Sequence, residues 1–224
     1  MKNILMCSYR DWSNSICERI EKKFKTDDII FTTCNTNKKF LYLTSIIKYD
    51  IIFFIGWSSI IEESIIKSNI CICLHPSLLP KYRGGSPIQH QIINGEDESG
   101  VTLFIMDEGI DTGPIIFQKK FNIKDCNLEK VFDSIIDIGF LGCSNLILNF
   151  IEGKPFSSIP QNNSDSSFFN RRTKYMSEIC IEDFSHYSSK QLYDKIRSLQ
   201  DPYPNAFIRC KDDTILYLTH SRYE

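Results

Sequence analysis

The stretch DIIFFIGWSSIIEESIIKSNICICLH, Asp50 to His75, sets the architecture. Asp50 to Ile55 is apolar on both faces, as a central strand covered on two sides must be. Ile60 to Lys67 has the spacing of a short helix, and Ile70 to Leu74 is a second buried strand. Upstream, Asn3 to Cys7 is a short apolar strand and Ser8 to Asp11 a polar turn. Trp12, Ile16, Ile20 and Phe24 then recur every four residues, the period of an amphipathic helix. Asp28 to Thr33 predicts another strand and Leu41 to Ile47 another helix. Strands and helices alternating at this spacing predict an α/β fold, a doubly wound, mostly parallel sheet.

Downstream, Val101 to Met106 and Ile115 to Gln118, with Phe121, supply further strands. Leu128 to Phe150 is a long helical pattern with Ile135, Ile138, Leu141 and Leu148 on one stripe, and Leu141-Gly142-Cys143 is its weak point. Pro160 to Ser167 is polar and reads as a loop or linker. Beyond it lie Phe168 to Thr173, a helix from Ser188 to Leu199 and two short strands near Phe207 and Ile215, with Asp212-Asp213 suited to the tip between them. The expected division is a catalytic domain over 1–160 and a linker with a small helix and β-hairpin extension over 161–224.

Bulk properties remove several classes. The 224 residues carry a net charge of −2, so no strongly basic face for a nucleic acid is expected. Only four apolar residues follow Met1-Lys2-Asn3, too few for a secretory core, and the uncharged apolar run Ile51 to Ile61 is far short of a membrane span. A soluble, cytoplasmic protein with no membrane partner is expected. Nine cysteines raise the question of metal or disulfides. Cys71, Cys73 and His75 share one face of a strand, but two-residue steps there are roughly 6.5–7 Å apart. Ligands about 2.3 Å from one zinc lie closer together than that. Reduced, mostly buried thiols and no metal are expected.

The chemistry-bearing residues fall just after strands. His75 and Ser77 end the Ile70 strand, Asp107 and Asp111 follow the Val101 strand, and Trp57 to Ser59 follow the Ile51 strand. A parallel sheet places its ligands beyond such ends, so the three loops are expected to share one mouth. No glycine loop for phosphates follows the first strand in CSYRDWSN, and no serine elbow is present. An imidazole and a carboxylate remain, which is acid–base and electrostatic equipment for a nucleophile brought by the substrate.

HPSLLPKYRGGSPI (His75 to Ile88) followed by SGVTLFIMDEGIDTGPII (Ser99 to Ile116) closely resembles the folate-dependent formyltransferases. FFNRRT, IEDF and IRSLQDPYPNAF resemble, more faintly, the segment that joins catalytic and C-terminal domains in the tRNA and sugar branches of that family. The resemblance implies a Rossmann-like catalytic domain and N10-formyltetrahydrofolate as co-substrate. It also implies chemistry by an Asn-x-His pair and a later Asp. His75 and Asp111 match the last two; Cys73 stands where the family carries Asn. A thiol is a weaker donor than an amide. A backbone N–H, an ordered water or the amide of Gln89 or Gln91 are the candidate replacements, and an altered or absent activity is the other outcome.

By the same resemblance, Trp57, Ser59, Ile60, Ile61, Asp107, Gly109 and Ile110 border the folate. Arg10, Ser77, Lys81, Tyr82, Arg83 and Gly84 face the acceptor. The acceptor that best fits the resemblance is a nucleotide-linked amino sugar, with a homodimer left open. A formyltetrahydrofolate hydrolase and a non-catalytic folate or nucleotide-sugar binder are the alternatives.

Overall fold

β1 (Lys2–Cys7) is followed by α1 (Asp11–Phe24), whose Trp12, Ile16, Ile20 and Phe24 are all buried on one stripe. β2 (Ile29–Cys34), α2 (Asn37–Ile46), β3 (Ile51–Ile55), α3 (Glu63–Ser68) and β4 (Ile70–His75) continue the alternation. Two-residue β5 (Arg83–Gly84) and α4 (Pro87–Ile93) come next, then β6 (Glu98–Ile105), β7 (Ile115–Asn122) and α5 (Leu128–Ile151). The rest forms β8 (Phe168–Phe169), α6 (Asp183–His186), α7 (Ser189–Ser198) and a hairpin of β9 (Ala206–Arg209) and β10 (Ile215–Leu218). The computed structural model describes every residue from Met1 to Glu224.

Six strands form one sheet in the order β2-β1-β3-β4-β6-β7. The first four are parallel, as expected, and the order places a topological switch between β1 and β3. β6 runs antiparallel to β4, pairing His75 with Thr102 and Ile72 with Ile105. The chain between His75 and Glu98 stays at the head of the sheet, so the next strand enters from that end.

The two faces are covered unequally. α1, α4 and α5 bury a cluster of 26 residues that includes Phe53, Ile72 and Leu74. On the other face α2 and α3 cover only nine, among them Phe40, Phe54 and Cys71, with Cys73 and Met106 half-buried at the margin. The area these two short helices leave bare becomes the cleft. α5 is long and apolar enough, at 24 residues, to cross a membrane by composition, but its Val131, Ile135, Ile138 and Ile147 belong to the larger core. It runs unbroken through Gly142, where a Cβ would come within 2.7 Å of Phe117.

Two helix starts and one helix without a sequence signal depart from expectation for local reasons. α2 begins four residues before Leu41, because Thr36 caps it by accepting from the backbone N–H of Lys39 at 3.2 Å. The helix expected from Ile60 starts only at Glu63, after an extended Glu62; Ile60 is 88% exposed while Ile61 is buried. α4 had no periodic signal, being seven residues nucleated by Pro87 in its first turn. Phe53, fully buried at the centre of the larger core, tests this layering. Phe53→Ala should lower unfolding free energy by about 3–5 kcal/mol, read as a reduced urea midpoint with an unchanged slope.

Candidate active site

A cleft of about 600 Å³ opens at the head of the parallel strands, over the thinly covered face. β3 delivers Gly56 to Ser59 to it and β4 delivers Cys73 and His75, as carboxyl ends of parallel strands should. Asp111 arrives differently. β6 is reversed, so its end lies at the foot of β4, where the Met106 N–H donates to the Cys71 carbonyl at 2.8 Å. The loop from Asp107 must then climb back to reach His75. It does so through internal bonds: Asp107 Oδ1 accepts from the Gly109 N–H at 3.1 Å and from Thr112 Oγ1 at 2.6 Å. Asp111 itself takes a left-handed φ of +56°, sparsely populated for a residue with a Cβ. The three loops do meet, but the third does not meet them as a strand end.

His75 Nδ1 lies 3.5 Å from Asp111 Oδ2, with the two side chains 7% and 15% exposed. His75 Nε2 donates to the Tyr82 carbonyl at 2.7 Å. Because a carbonyl can only accept, Nε2 carries a proton and Nδ1 is the nitrogen free to exchange one. Asp111 Oδ2 also accepts from the Gly84 N–H at 2.8 Å.

Cys73 sits on the same face of β4 as His75, half-buried at the cleft wall. Burial first, and the Asp111 carboxylate second, push its thiol well above the ordinary value. It is therefore an S–H group and not a thiolate. Of the two amides that could replace it as donor, Gln91 is committed: its Nε2 donates to the carbonyls of Pro76 and Pro87 at 2.9 and 3.0 Å. Gln89 lines the cleft and is 2% exposed. Its Nε2 makes no well-formed hydrogen bond, although the amide lies near enough to the Tyr203 hydroxyl to act on it.

The structure places Trp57, Ser59, Ile60, Ile61, Asp107, Gly109 and Ile110 on the cleft wall. Trp57 anchors that wall through edge and tilted contacts with Tyr9, Phe40 and Phe54 at centroid distances of 5.8–6.2 Å. Arg10 and Gly84 line the same cleft. Ser77, Lys81, Tyr82 and Arg83 do not reach it, which corrects the expectation for them. Ser77 is fully buried and donates to the Lys81 carbonyl, while Lys81 points outward. The Tyr82 ring stacks on Phe169 and its hydroxyl donates to Glu96. Arg83 is 7% exposed and turned toward Gln161 and Asn163. Apart from Lys81, these side chains are consumed in folding the loop back on itself.

Sequence reasoning missed much of the opposite wall. Phe168 to Thr173 and Pro202 to Pro204 line the cleft, although their only signal was similarity of short motifs. Arg10 lies over the rings of Tyr9 and Tyr203 at 5.2 and 5.7 Å, and Arg171 acts on both tyrosines. Burial raises the Tyr9 hydroxyl, but its bond to Ser58 and the two arginines outweigh this and bring it below the ordinary value. Burial wins at Tyr203, which is raised. Neither Arg10 nor Arg171 has a carboxylate partner, in contrast to Arg19 with Asp137 and Arg197 with Asp194 elsewhere in the fold.

Residues 22–135 match the family model described as formyl transferase. The methionyl-tRNA formyltransferase of Wolbachia pipientis subsp. Culex pipiens is 35% identical over 150 residues, 66% of this chain and 46% of that protein. The chain thus spans about half the length of the curated relatives it matches. Among solved structures, a methionyl-tRNA formyltransferase from Clostridium thermocellum superposes with a TM-score of 0.80 at 25% identity, covering 97% of each chain. A sugar N-formyltransferase from Shewanella sp FDAARGOS_354 gives 0.79 at 18% identity, over 100% of this chain and 99% of that one, a likeness of fold.

The raised Cys73 thiol has a direct consequence, because only the thiolate alkylates. Iodoacetamide at neutral pH should modify exposed Cys180 and Cys210 and spare Cys73, as followed by peptide mass spectrometry. Prompt labelling of Cys73 would mean that the pocket holds an anion there.

Proposed function

The chain belongs to the formyl transferase family, and from that membership we propose that it moves the formyl group of N10-formyltetrahydrofolate to the primary amine of a nucleotide-linked amino sugar. The observation that carries the transfer is the His75–Asp111 pair in the cleft, with Nε2 committed to a carbonyl and Nδ1 left to work. The acceptor nitrogen adds its lone pair to the formyl carbon, and the carbonyl π pair moves onto oxygen. The proton lost by the amine passes to His75 Nδ1. The imidazolium so formed rests between two acceptors, Tyr82 O and Asp111 Oδ2, which stabilise it. That proton is then delivered to N10 as the carbon–N10 bond breaks, leaving tetrahydrofolate and a formamide.

Trp57, Ile60, Ile61 and the Asp107 to Ile110 loop would hold the folate, the ring system against the aromatic wall and the polar edge against the loop backbone. The developing oxyanion needs donors aimed at it. Cys73 offers one weak S–H, and the amide of Gln89, without a well-formed bond of its own, is the stronger donor available on the cleft wall.

The positive charge on the cleft wall favours an acceptor bearing phosphate. Arg10 and Arg171, free of carboxylates and flanked by Tyr9 and Tyr203, suit a diphosphate with an aromatic base or sugar beside it. Methionyl-tRNA is the second reading, favoured by the names of the curated relatives. Against it stands a chain of net charge −2, since a polyanion needs many cations to bind.

Incubation with N10-formyltetrahydrofolate should release tetrahydrofolate only when a nucleotide-linked amino sugar is added. Release without any amine would make the protein a hydrolase, and release with methionyl-tRNA alone would move it to that class. Asp111→Asn should abolish turnover while leaving folate affinity within about tenfold, the loss of one weak contact; unchanged turnover would remove Asp111 from the reaction. Cys73→Asn should keep or raise kcat, because it restores an amide donor. Arg171→Ala should raise the acceptor KM roughly tenfold and leave the formyl-donor KM unaltered.

A further inference from the structure

Arg83 is a buried cation whose side-chain partners are all neutral. Its Nε and Nη2 donate to Gln161 Oε1 at 3.1 and 2.7 Å, and Nη2 also donates to Asn163 Oδ1 at 3.0 Å. A charge removed from water without a counter-charge is expensive, so this arrangement asks for a reason. The far side of the same amide supplies one. Gln161 Nε2 donates to the carbonyls of Asp111 and Gly113 at 2.9 and 2.7 Å, the backbone of the left-handed turn that carries the carboxylate. The guanidinium polarises the amide through its oxygen and so strengthens the two bonds its nitrogen makes. One residue on, the Gly84 N–H grips Asp111 Oδ2. Backbone and carboxylate of Asp111 are thus clamped from both sides.

The geometry points to Arg83 and Gln161 as positioning residues that set the Asp111 carboxylate against His75, acting through the turn and touching no substrate. This rests on the formyl-transfer reading for its kinetic consequence, though not for its geometry. The turn does not hold itself there: it begins at the foot of β4, and its internal bonds through Asp107 fix its shape without fixing its distance from His75. Gln161, brought alongside by the backbone pairing of Ile115 with Ile159, fixes that distance from the backbone side, as the Gly84 N–H does from the carboxylate side.

Gln161→Leu removes both roles of the amide. Gln161→Glu keeps an acceptor for Arg83 but presents oxygen to two carbonyls. Both should lower kcat by about tenfold to a hundredfold, the scale of a misplaced catalytic group, with the formyl-donor KM within about threefold. Asn163→Ala takes a bond from the same guanidinium without touching the turn, and its kcat should stay within about twofold of the parent. Separately, ¹⁵N–¹H spectra of the His75 ring should change in both Gln161 variants and not in Asn163→Ala, since Nδ1 faces the displaced carboxylate. Wild-type kcat in folded Gln161 variants, equal losses in Asn163→Ala, an unmoved His75 spectrum, or unfolding of both Gln161 variants would each overturn the assignment. If the parent protein turns over no formyl donor, the functional reading fails while the spectra still decide the positioning role.

Discussion

Tyr82, Arg83 and Gly84 hold the working groups of this protein to one another. The carbonyl of the first accepts a hydrogen bond from His75 Nε2, and the N–H of the third donates one to the Asp111 carboxylate. A side chain that ends β4 and one from the loop after the antiparallel β6 are therefore referred to one tripeptide. Gly84 can serve only as glycine: its φ is +92°, and a Cβ there would collide with the Phe169 carbonyl. β5 and β8 approach that closely because their pairing closes the loop over the site.

That constraint explains why so much of the basic, aromatic loop after β4 is turned inward. Tyr82 stacks on Phe169 with centroids 5.0 Å apart, and its backbone N–H donates to Ser167 Oγ at 2.8 Å. The loop and the 161–169 segment fold as one layer, with the cleft on its far side. Positive charge on the cleft wall comes instead from Arg10 and Arg171, on elements distant in sequence. The cleft therefore carries two arginines without acidic partners and an imidazole–carboxylate pair on one continuous wall.

Cys73 shows how far electrostatics can suppress a protein nucleophile. The thiol is held protonated by burial first and by the neighbouring Asp111 carboxylate second. A site built this way favours reactions whose nucleophile arrives with the substrate.

Periodicity and composition were enough for most of the framework. The wholly apolar Ile51 to Ile55 and Ile70 to Leu74 are legible as central strands because burial on two faces admits no polar residue, and Trp12, Ile16, Ile20 and Phe24 mark α1 by their spacing. His75, Cys73, Asp111 and the residues expected to border the folate lie within short, unbroken stretches of chain that motif similarity picks out, and all of them line the cleft. The reversal of β6 was not legible, because an apolar strand reads the same in either direction. Nor could the sequence tell that Ser77, Tyr82 and Arg83 face inward while Arg171 and Tyr203 face the cleft. Side-chain direction in a loop is set by what packs against it, and here the partners, Gln161 to Phe169, lie some eighty residues along the chain and meet the loop only when the fold is complete.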